Sequence, residues 1–218
     1  MITELVLATR NEHKGQELRA LLSGDGLTIR TLREFPDAPD VVEDGATCEA
    51  NALKKAREIA RHTGLPAIAD DTGLEVEALG GRPGVYAARY AGEAATYKDN
   101  CAKLLRELEG VPRDRRRARF LTVAAIALPT GQSAAVEGSL EGIITEREIG
   151  SQGFGYDPVF FVPESGKTLA EMSQAEKNRI SHRARAFGKA KELLKTLRYD
   201  ADTRIVVMGS APAHQATQ

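Results

Sequence analysis

The sequence contains no tryptophan, only two cysteines, and few aromatic residues, which make up 5% of its 218 positions. The cysteines, Cys48 and Cys101, provide no disulfide framework, and this usage is typical of a reducing compartment. No apolar stretch approaches the length of a membrane span, and Met1–Leu5 lacks the basic and apolar regions of a signal peptide. We therefore expect a cytoplasmic protein that makes no contact with a membrane.

An excess of charge of one sign is also missing, since 30 Lys and Arg face 31 Asp and Glu and the net charge is −1. The chain as a whole thus has no electrostatic reason to bind nucleic acid. Its length allows one substantial core and is short for two full domains. We expect a single domain over residues 1–199, followed by a flexible tail over residues 200–218, where the sequence becomes small and polar.

The first strand-turn-helix unit carries polar side chains, although the chain lacks a glycine-rich Walker loop. The apolar run before Thr9 predicts a strand, and Asn11 is a suitable N-cap for the helix that follows. Thr9, Asn11 and Lys14 place a hydroxyl, an amide and an ammonium at a helix N-terminus, where a phosphate chain can bind. The same residues also fit a plain capped helix with a surface lysine.

A short buried strand, residues 66–69, leads into Asp70-Asp71-Thr72-Gly73 and predicts a strand that opens into a turn. Ligands of α/β sheets bind at such strand ends. Successive strand side chains point to opposite faces, so one carboxylate can hold a cation in a cleft while the other braces the loop. The alternative is an Asx-type turn in which both carboxylates bond only local amides.

Thr47 is expected to begin a helix whose apolar face includes Ala56 and Ile59. Lys55 lies at the border of that face, so its default environment is solvent. Glu43, just before the helix, could reach a metal at the two aspartates. A further helix from Thr96 places Cys101 in the core.

The dense basic run Arg113–Arg119 could contact phosphate or nucleic acid. Because it directly precedes the long apolar strand 120–128, a solvated loop and strand edge is the simpler interpretation. Residues 132–145 alternate in polarity and predict a hairpin with that strand, with the turn at Thr130-Gly131.

The glycine-rich loop 150–158 contains Phe154 and Tyr156, and one of these rings could stack on a flat ligand that the glycines allow to approach. Ser173–Glu176 has the form of a capping box. The helix that follows brings a cluster of hydrogen-bond donors, Lys177, His182 and Arg183.

Read in order, these segments closely resemble the ITP/XTP/dITP pyrophosphatase family, which hydrolyses triphosphates of deaminated purines. The matching segments are residues 8–14, 49–56, 69–74, 80–92, 154–158 and 176–183. The resemblance implies an α/β fold, a single two-lobed unit with a long mixed β-sheet flanked by helices and a central cleft. It also implies Mg²⁺ dependence and a homodimer.

The resemblance further assigns roles to particular residues. Asp71 matches the catalytic acid, and Glu43 with Asp71 matches the metal-binding carboxylates. The substrate-binding residues that it implies are Thr9, Arg10, Asn11, Glu12, His13, Lys14, Lys55, Thr72, Phe154, Gly155, Tyr156, Asp157, Lys177, His182 and Arg183. Departures from the family pattern are Thr72 in place of the usual Ser, Cys48 in place of an aromatic ring, and Arg10 at a position that is commonly small.

The expected reaction is attack of water on the α-phosphorus, which yields a nucleoside monophosphate and pyrophosphate. Two alternatives remain open at this point. The first is a nucleotide-sensing or nucleic-acid-binding module that uses the basic run without turnover. The second is a pyrophosphatase that acts on modified pyrimidine triphosphates.

Overall fold

The computed structural model of the protein describes residues 2–24, 26–199 and 206–208. Its α-helices are α1 (Glu12–Leu22), α2 (Cys48–Thr63), α3 (Tyr97–Glu107), α4 (Gln174–Ile180) and α5 (His182–Thr196). Its strands are β1 (Glu4–Leu7), β2 (Thr28–Thr31), β3 (Ala67–Val76), β4 (Pro83–Gly84), β5 (Arg117–Ala127), β6 (Ser133–Ile144), β7 (Phe160–Val162), β8 (Lys167–Thr168), β9 (Leu197–Tyr199) and β10 (Val206–Met208).

A mixed sheet forms the centre of the molecule, in the order β2-β1-β3-β5-β6-β7-β8, with β4 paired to β3. β1 runs parallel to β2 and β3, and the other neighbours in this sheet are antiparallel. The predicted α/β class with a long mixed sheet is therefore confirmed. β9 and β10 form a separate antiparallel pair, so strand 206–208 falls within the predicted tail, whose other residues lie outside the described part of the chain.

Alternation along β3 distributes its side chains between the layers of the molecule. Ala67 and Ala69 pack in the core beneath α2, whereas Ile68 packs in the core formed with α1 and α5. Further along the strand, Leu74 and Val76 belong to a third core that includes residues of α3. The cleft lies between the α1 end and the α3 end of this long strand.

The prediction of a turn after Asp71 is wrong, because β3 continues through Asp70 and Asp71 to Val76. β5 provides an antiparallel partner along the whole strand, from Ala67 to Val76. On the other side β1 ends at Leu7, opposite Ile68, and β4 pairs only with Leu74 and Glu75. The strand therefore continues past an open stretch of its edge, where residues 69–73, including Asp70 and Asp71, have a strand partner only on the β5 side.

The hairpin prediction is confirmed, since β5 pairs with β6 and Gly131 N donates to Leu128 O in the turn. The basic run is largely the solvated loop and strand start that was expected, because Arg113, Arg115 and Arg117 are exposed, and Arg116 is the exception. Arg116 is buried and its guanidinium donates to three carbonyls, those of Leu108, Val111 and Thr145. This arginine closes the C-terminal end of α3 instead of forming a basic patch.

Helix α5 packs so closely on β6 that a side chain at Gly138 would not fit. A Cβ at this position would lie 2.3 Å from Ala186 N and 2.4 Å from His182 O, both of them backbone atoms that cannot move aside alone. We expect Gly138→Ala to lower the free energy of unfolding by about 1–3 kcal/mol through overpacking, measured by urea denaturation.

Gly188, on α5 itself, provides the matched control. A Cβ there meets nothing within 4 Å, so Gly188→Ala should be neutral or stabilise the protein by about 0.5–1 kcal/mol. If Gly138→Ala is as stable as the wild type, the close approach of α5 to β6 is not a constraint on this fold.

Candidate active site

The two adjacent aspartates of β3 point to opposite faces of the sheet, as their alternation predicts. Asp70 faces α1 and α5 and is 1% exposed. Its Oδ2 lies 3.2 Å from Lys14 Nζ and 3.4 Å from Arg183 Nε. Burial alone would raise the pKa of Asp70, but Lys14, Arg183 and Lys55 outweigh it and hold the pKa below its usual value. Asp70 is therefore an ionised, structural carboxylate behind the cleft.

Asp71 faces α2 and lines the cleft. Its Oδ2 accepts a hydrogen bond from Asn51 Nδ2 at 3.1 Å, and its Oδ1 lies 4.0 Å from Lys55 Nζ. Burial raises the pKa of Asp71, Lys55 opposes this rise, and Glu43 adds to it. The negative charge on Asp71 is thus only partly compensated, which is the condition under which a carboxylate favours an added cation.

Asn51 is a residue to which the sequence analysis assigned no role. Besides donating to Asp71, its Oδ1 accepts a hydrogen bond from Gly45 N at 2.7 Å. This amide therefore connects β3 to the loop that carries Glu43. Its signal in the sequence is its position one turn before Lys55 on the same helix, which places both side chains on the face toward β3.

Lys55 is not solvated, contrary to its default at the border of the apolar face, and is 9% exposed. Its Nζ contacts Glu43 Oε1 and donates to the Asp70 carbonyl at 2.6 Å. Burial by itself would lower the pKa of Lys55, but Asp70, Glu43 and Asp71 raise it, so the ammonium is retained. The sequence around Lys55 does not reveal its burial, because the carboxylates that pair with it come from distant segments.

The turn before α1 contributes only part of its predicted set to the cleft. Asn11 is the N-cap, as predicted, because its Oδ1 accepts from Lys14 N at 3.2 Å. Asn11 and Lys14 both line the cavity that contains Asp71. Thr9 accepts a hydrogen bond from Asn11 N through its Oγ1 at 3.2 Å and thus shapes the turn.

The remaining residues of this turn point elsewhere. Arg10 pairs with Asp40 at 2.5 Å, and Glu12 contacts Arg33, so both lie on a neighbouring surface groove. His13 stacks on Phe154 with ring centroids 5.4 Å apart, beside the part of the cleft expected to take a base.

The loop after β6 places Phe154, Gly155, Tyr156 and Asp157 along the same cavity. Tyr156 belongs mainly to the core, because it is buried and its hydroxyl donates to Ala87 O at 2.8 Å. Asp157 accepts from Phe154 N at 3.1 Å and thereby fixes the backbone of the aromatic residue. Phe154 is consequently the ring of this loop that is available for stacking.

Glu17 is a second buried residue that sequence reasoning missed. Its carboxylate lies 3.1 Å from Lys177 Nζ and 2.7 Å from Arg183 Nη1. Lys177 also donates to Asp157 Oδ2 at 2.7 Å. The predicted donor cluster is therefore already paired with acids. Glu17 lies three residues after Lys14 on α1, so the two side chains share a face of the helix, and this spacing is the signal in the sequence that could have identified it.

His182 is not a charged donor, contrary to expectation. It is buried against Phe120, with ring centroids 4.4 Å apart and planes 18° apart. Burial lowers the pKa of His182 well below its usual value, and Arg183 and Lys177 lower it further. Its Nδ1 has no hydrogen-bond partner within the described residues. The ring is therefore neutral at pH 7, and its Nδ1 is buried.

The cavity formed by these residues also includes Glu43, Thr72, Ala87, Ala88, Tyr97, Ser181 and Arg183. Thr72 Oγ1 lies 2.7 Å from Thr122 Oγ1 and accepts from Arg183 Nη2 at 3.3 Å. A larger, more open groove runs along the outer face of α2, but it contains none of the buried ionisable groups. We therefore take the cavity at Asp71 as the candidate active site.

No group of three or more His, Cys, Asp or Glu side chains suited to a metal occurs in the described part of the chain. Glu43 and Asp71 form a smaller oxygen-donor pair, with Lys55 between them. Within the same part of the chain, no helix is long and apolar enough to cross a membrane.

Comparison with known proteins adds independent information. The family model described as "Ham1 family" matches residues 5–193. The chain is 52% identical over 189 residues to the dITP/XTP pyrophosphatase of Geobacillus kaustophilus, covering 87% of this chain and 93% of that protein. It is 51% identical over 193 residues to the dITP/XTP pyrophosphatase of Geobacter sulfurreducens, covering 88% and 97%. The structure of a HAM1 protein from Coxiella burnetii superposes with a TM-score of 0.81 at 40% identity, covering 89% and 99%.

The buried neutral His182 predicts a specific dependence of stability on pH. Because the pKa of His182 is lower in the folded than in the unfolded protein, the unfolded state binds more protons below about pH 6.5. The free energy of unfolding should therefore fall as pH decreases from about 6.5 to 5, by up to about 1.4 kcal/mol per pH unit from this group.

Urea denaturation of the wild type and of His182→Gln at several pH values checks this expectation. The variant should lose this component of the slope, whereas His62→Gln, which changes a surface histidine, should keep it. Equal slopes for the wild type and His182→Gln would show that His182 is not buried in its neutral form.

Proposed function

Because the chain belongs to the Ham1 family, we propose that it hydrolyses non-standard purine nucleoside triphosphates, ITP, dITP and XTP, to the monophosphate and pyrophosphate. The observation that carries this proposal is the partly compensated carboxylate of Asp71 at the open edge of β3. It lies in one cavity with cationic Lys14 and the aromatic ring of Phe154. These groups suit the reacting phosphate, the phosphate chain and the base.

In the proposed reaction, a water oxygen bonds to the α-phosphorus while the bond from that phosphorus to the bridging oxygen of the β-phosphate breaks. Asp71 orients the attacking water, since a carboxylate beside a cation is a weak base and positioning is its more effective contribution. Asn51 holds the Asp71 carboxylate in place. Lys14 and Lys55 supply positive charge to the phosphate oxygens.

The site fits Mg²⁺, which commonly binds through one or two carboxylates together with substrate phosphates and water. Glu43 and Asp71 would hold the ion, and the raised pKa of Asp71 indicates a negative charge that an added cation would stabilise. When bound there, Mg²⁺ would neutralise charge on the phosphate oxygens in the transition state. The Lys55 ammonium lies between the carboxylates of Glu43 and Asp71 and offsets their mutual repulsion.

Selectivity for deaminated purines follows from the groups near Phe154. A 6-oxo purine offers an acceptor to the donors of Lys177 and Arg183, whereas the 6-amino group of adenine would face them with a further donor. An unpaired buried donor costs about 1–3 kcal/mol, so ATP should be a poor substrate. Guanine also carries a 6-oxo group, so its 2-amino group must provide the basis for its rejection.

A panel of nucleoside triphosphates with Mg²⁺, scored for pyrophosphate against orthophosphate, tests the proposed function. We expect pyrophosphate from ITP, dITP and XTP, little turnover of ATP, and none after addition of a chelator. Tight binding without turnover would favour the nucleotide-sensing alternative. Preferential hydrolysis of modified pyrimidine triphosphates would favour the other alternative.

We also propose a cytoplasmic homodimer. The family resemblance is the ground for the dimer, and exposed apolar side chains at Val42 and Tyr86, 67% and 54% accessible, offer surface that a second copy could cover. Both cysteines are free and buried, which suits a reducing compartment. Sedimentation that shows a monomer at micromolar concentration would contradict the dimer.

The two aspartates of β3 should respond differently to the same substitution. Asp71→Asn should lose turnover by at least ~100-fold, because water and metal lose their carboxylate. Its stability should be unchanged or higher, because burial disfavours the charge that the substitution removes.

Asp70→Asn should instead be destabilised, because Lys14 and Arg183 then lose the carboxylate that lowers the pKa of Asp70. Turnover of ITP and the midpoint of thermal unfolding, measured for both variants, check this contrast. Near-normal turnover in Asp71→Asn at saturating Mg²⁺ would remove Asp71 from the mechanism.

A further inference from the structure

We propose that Tyr97 is a further substrate-binding residue, which forms a second aromatic wall of the base subsite beside Phe154 and is held there by Asn11. The inference rests on the proposed function, because it requires a purine base in this cavity. Tyr97 lies outside the segments that resemble the family.

The position of the Tyr97 ring is the first observation. It lines the cavity that contains Asp71 and lies 5.8 Å from the Phe154 ring, centroid to centroid, with the planes 41° apart. It also meets the edge of His13 at 6.5 Å. Tyr97 is 38% exposed, so a ring with a large apolar surface stands at the mouth of the cleft.

The second observation is that residues of two helices, α3 and α1, hold this ring. Tyr97 is the first residue of α3, whose start is set by a capping box between Thr96 and Asp99. Its hydroxyl accepts a hydrogen bond from Asn11 Nδ2 at 2.9 Å. The other end of the same amide caps α1 through Lys14 N. The Asn11 side chain thus joins the N-termini of α1 and α3 across the cleft.

The third observation concerns which sides of the Phe154 ring a base can reach. Lys177 Nζ and Arg183 Cζ lie 5.7 and 5.4 Å from the ring centroid, and both cations are buried in ion pairs with Glu17. Moving Lys177 or Arg183 away from the Phe154 ring would break their buried ion pairs with Glu17, which is strongly unfavourable. The exposed rings of His13 and Tyr97 cover the ring elsewhere. A base that stacks on Phe154 from the side of His13 would contact Tyr97.

Steady-state kinetics with ITP separate substrate binding from a structural role. We expect Tyr97→Ala to raise KM by about tenfold, the effect of losing one base–aromatic contact, with kcat changed by less than about twofold. Tyr97→Phe keeps the ring and loses only the hydrogen bond from Asn11, so its KM should rise less, by about threefold. Lys98→Ala, the exposed neighbour on α3, is the matched control and should behave as the wild type.

The absence of tryptophan from the chain allows a direct measurement of contact. Tyr97→Trp introduces a single tryptophan at the proposed wall, and Lys98→Trp introduces one outside the cavity. Inosine monophosphate, the product of the proposed reaction, is added as a ligand that is not consumed. We expect quenching of the tryptophan fluorescence in Tyr97→Trp and no change in Lys98→Trp.

The outcomes distinguish this inference from the proposed function. If the wild type releases no pyrophosphate from ITP, the proposed function fails, and fluorescence titrations with ITP, inosine monophosphate and ATP still report whether a purine contacts position 97. If the wild type is active but Tyr97→Ala has an unchanged KM, or fluorescence in Tyr97→Trp does not change at saturating nucleotide, the assignment of Tyr97 is overturned. If Tyr97→Ala lowers the melting temperature but leaves KM unchanged, the role of Tyr97 is structural and the proposal is overturned. If Tyr97→Ala does not fold, the fluorescence measurement decides.

Discussion

The buried ion pairs of Arg183 are the interaction on which the rest of the site depends. Its guanidinium reaches Glu17 on α1 and Asp70 on β3 at the same time, and so joins two helices to the central strand. Buried charges persist only when they are paired, so each partner constrains the others. Lys177 shares Glu17 and extends the constraint to Asp157 and the aromatic loop. The paired side chains of this network line one side of the cavity in which the proposed nucleotide would bind.

The proposed reaction requires a carboxylate whose charge is less completely paired. Asp71 meets this requirement because β1 ends before it reaches this part of β3. β1 stops opposite Ile68 while β3 continues beside β5, so Asp71 lies at an open edge. Asn51 and Lys55 approach this edge from α2 and hold the loop of Glu43 beside it. Two neighbouring residues therefore acquire opposite properties, since Asp70 is neutralised from one face and Asp71 is only partly compensated on the other.

The aromatic side of the cleft is built from few residues, in a chain where aromatic residues make up 5% of the sequence. Phe154 is positioned by its backbone bond to Asp157 and covered by His13 and Tyr97. Because the cations beside Phe154 are fixed in ion pairs, the exposed His13 ring marks the side of Phe154 that a ligand can reach. The cavity thus has an aromatic side at Phe154 and a charged side at the ion pairs of Arg183.

The sequence alone determined the features that depend on neighbouring residues. The Asn11 cap, the hairpin of β5 and β6 and the opposite orientation of the two aspartates follow from local periodicity and capping chemistry. The α/β class follows from the resemblance of the motifs to a known family. Tertiary structure decided what depends on partners distant in the chain. The burial of Lys55, the neutral state of His182 and the role of Glu17 arise from groups that meet only in the folded protein. A pattern along the chain shows which face a side chain occupies, whereas its charge and solvation are set by what packs against that face.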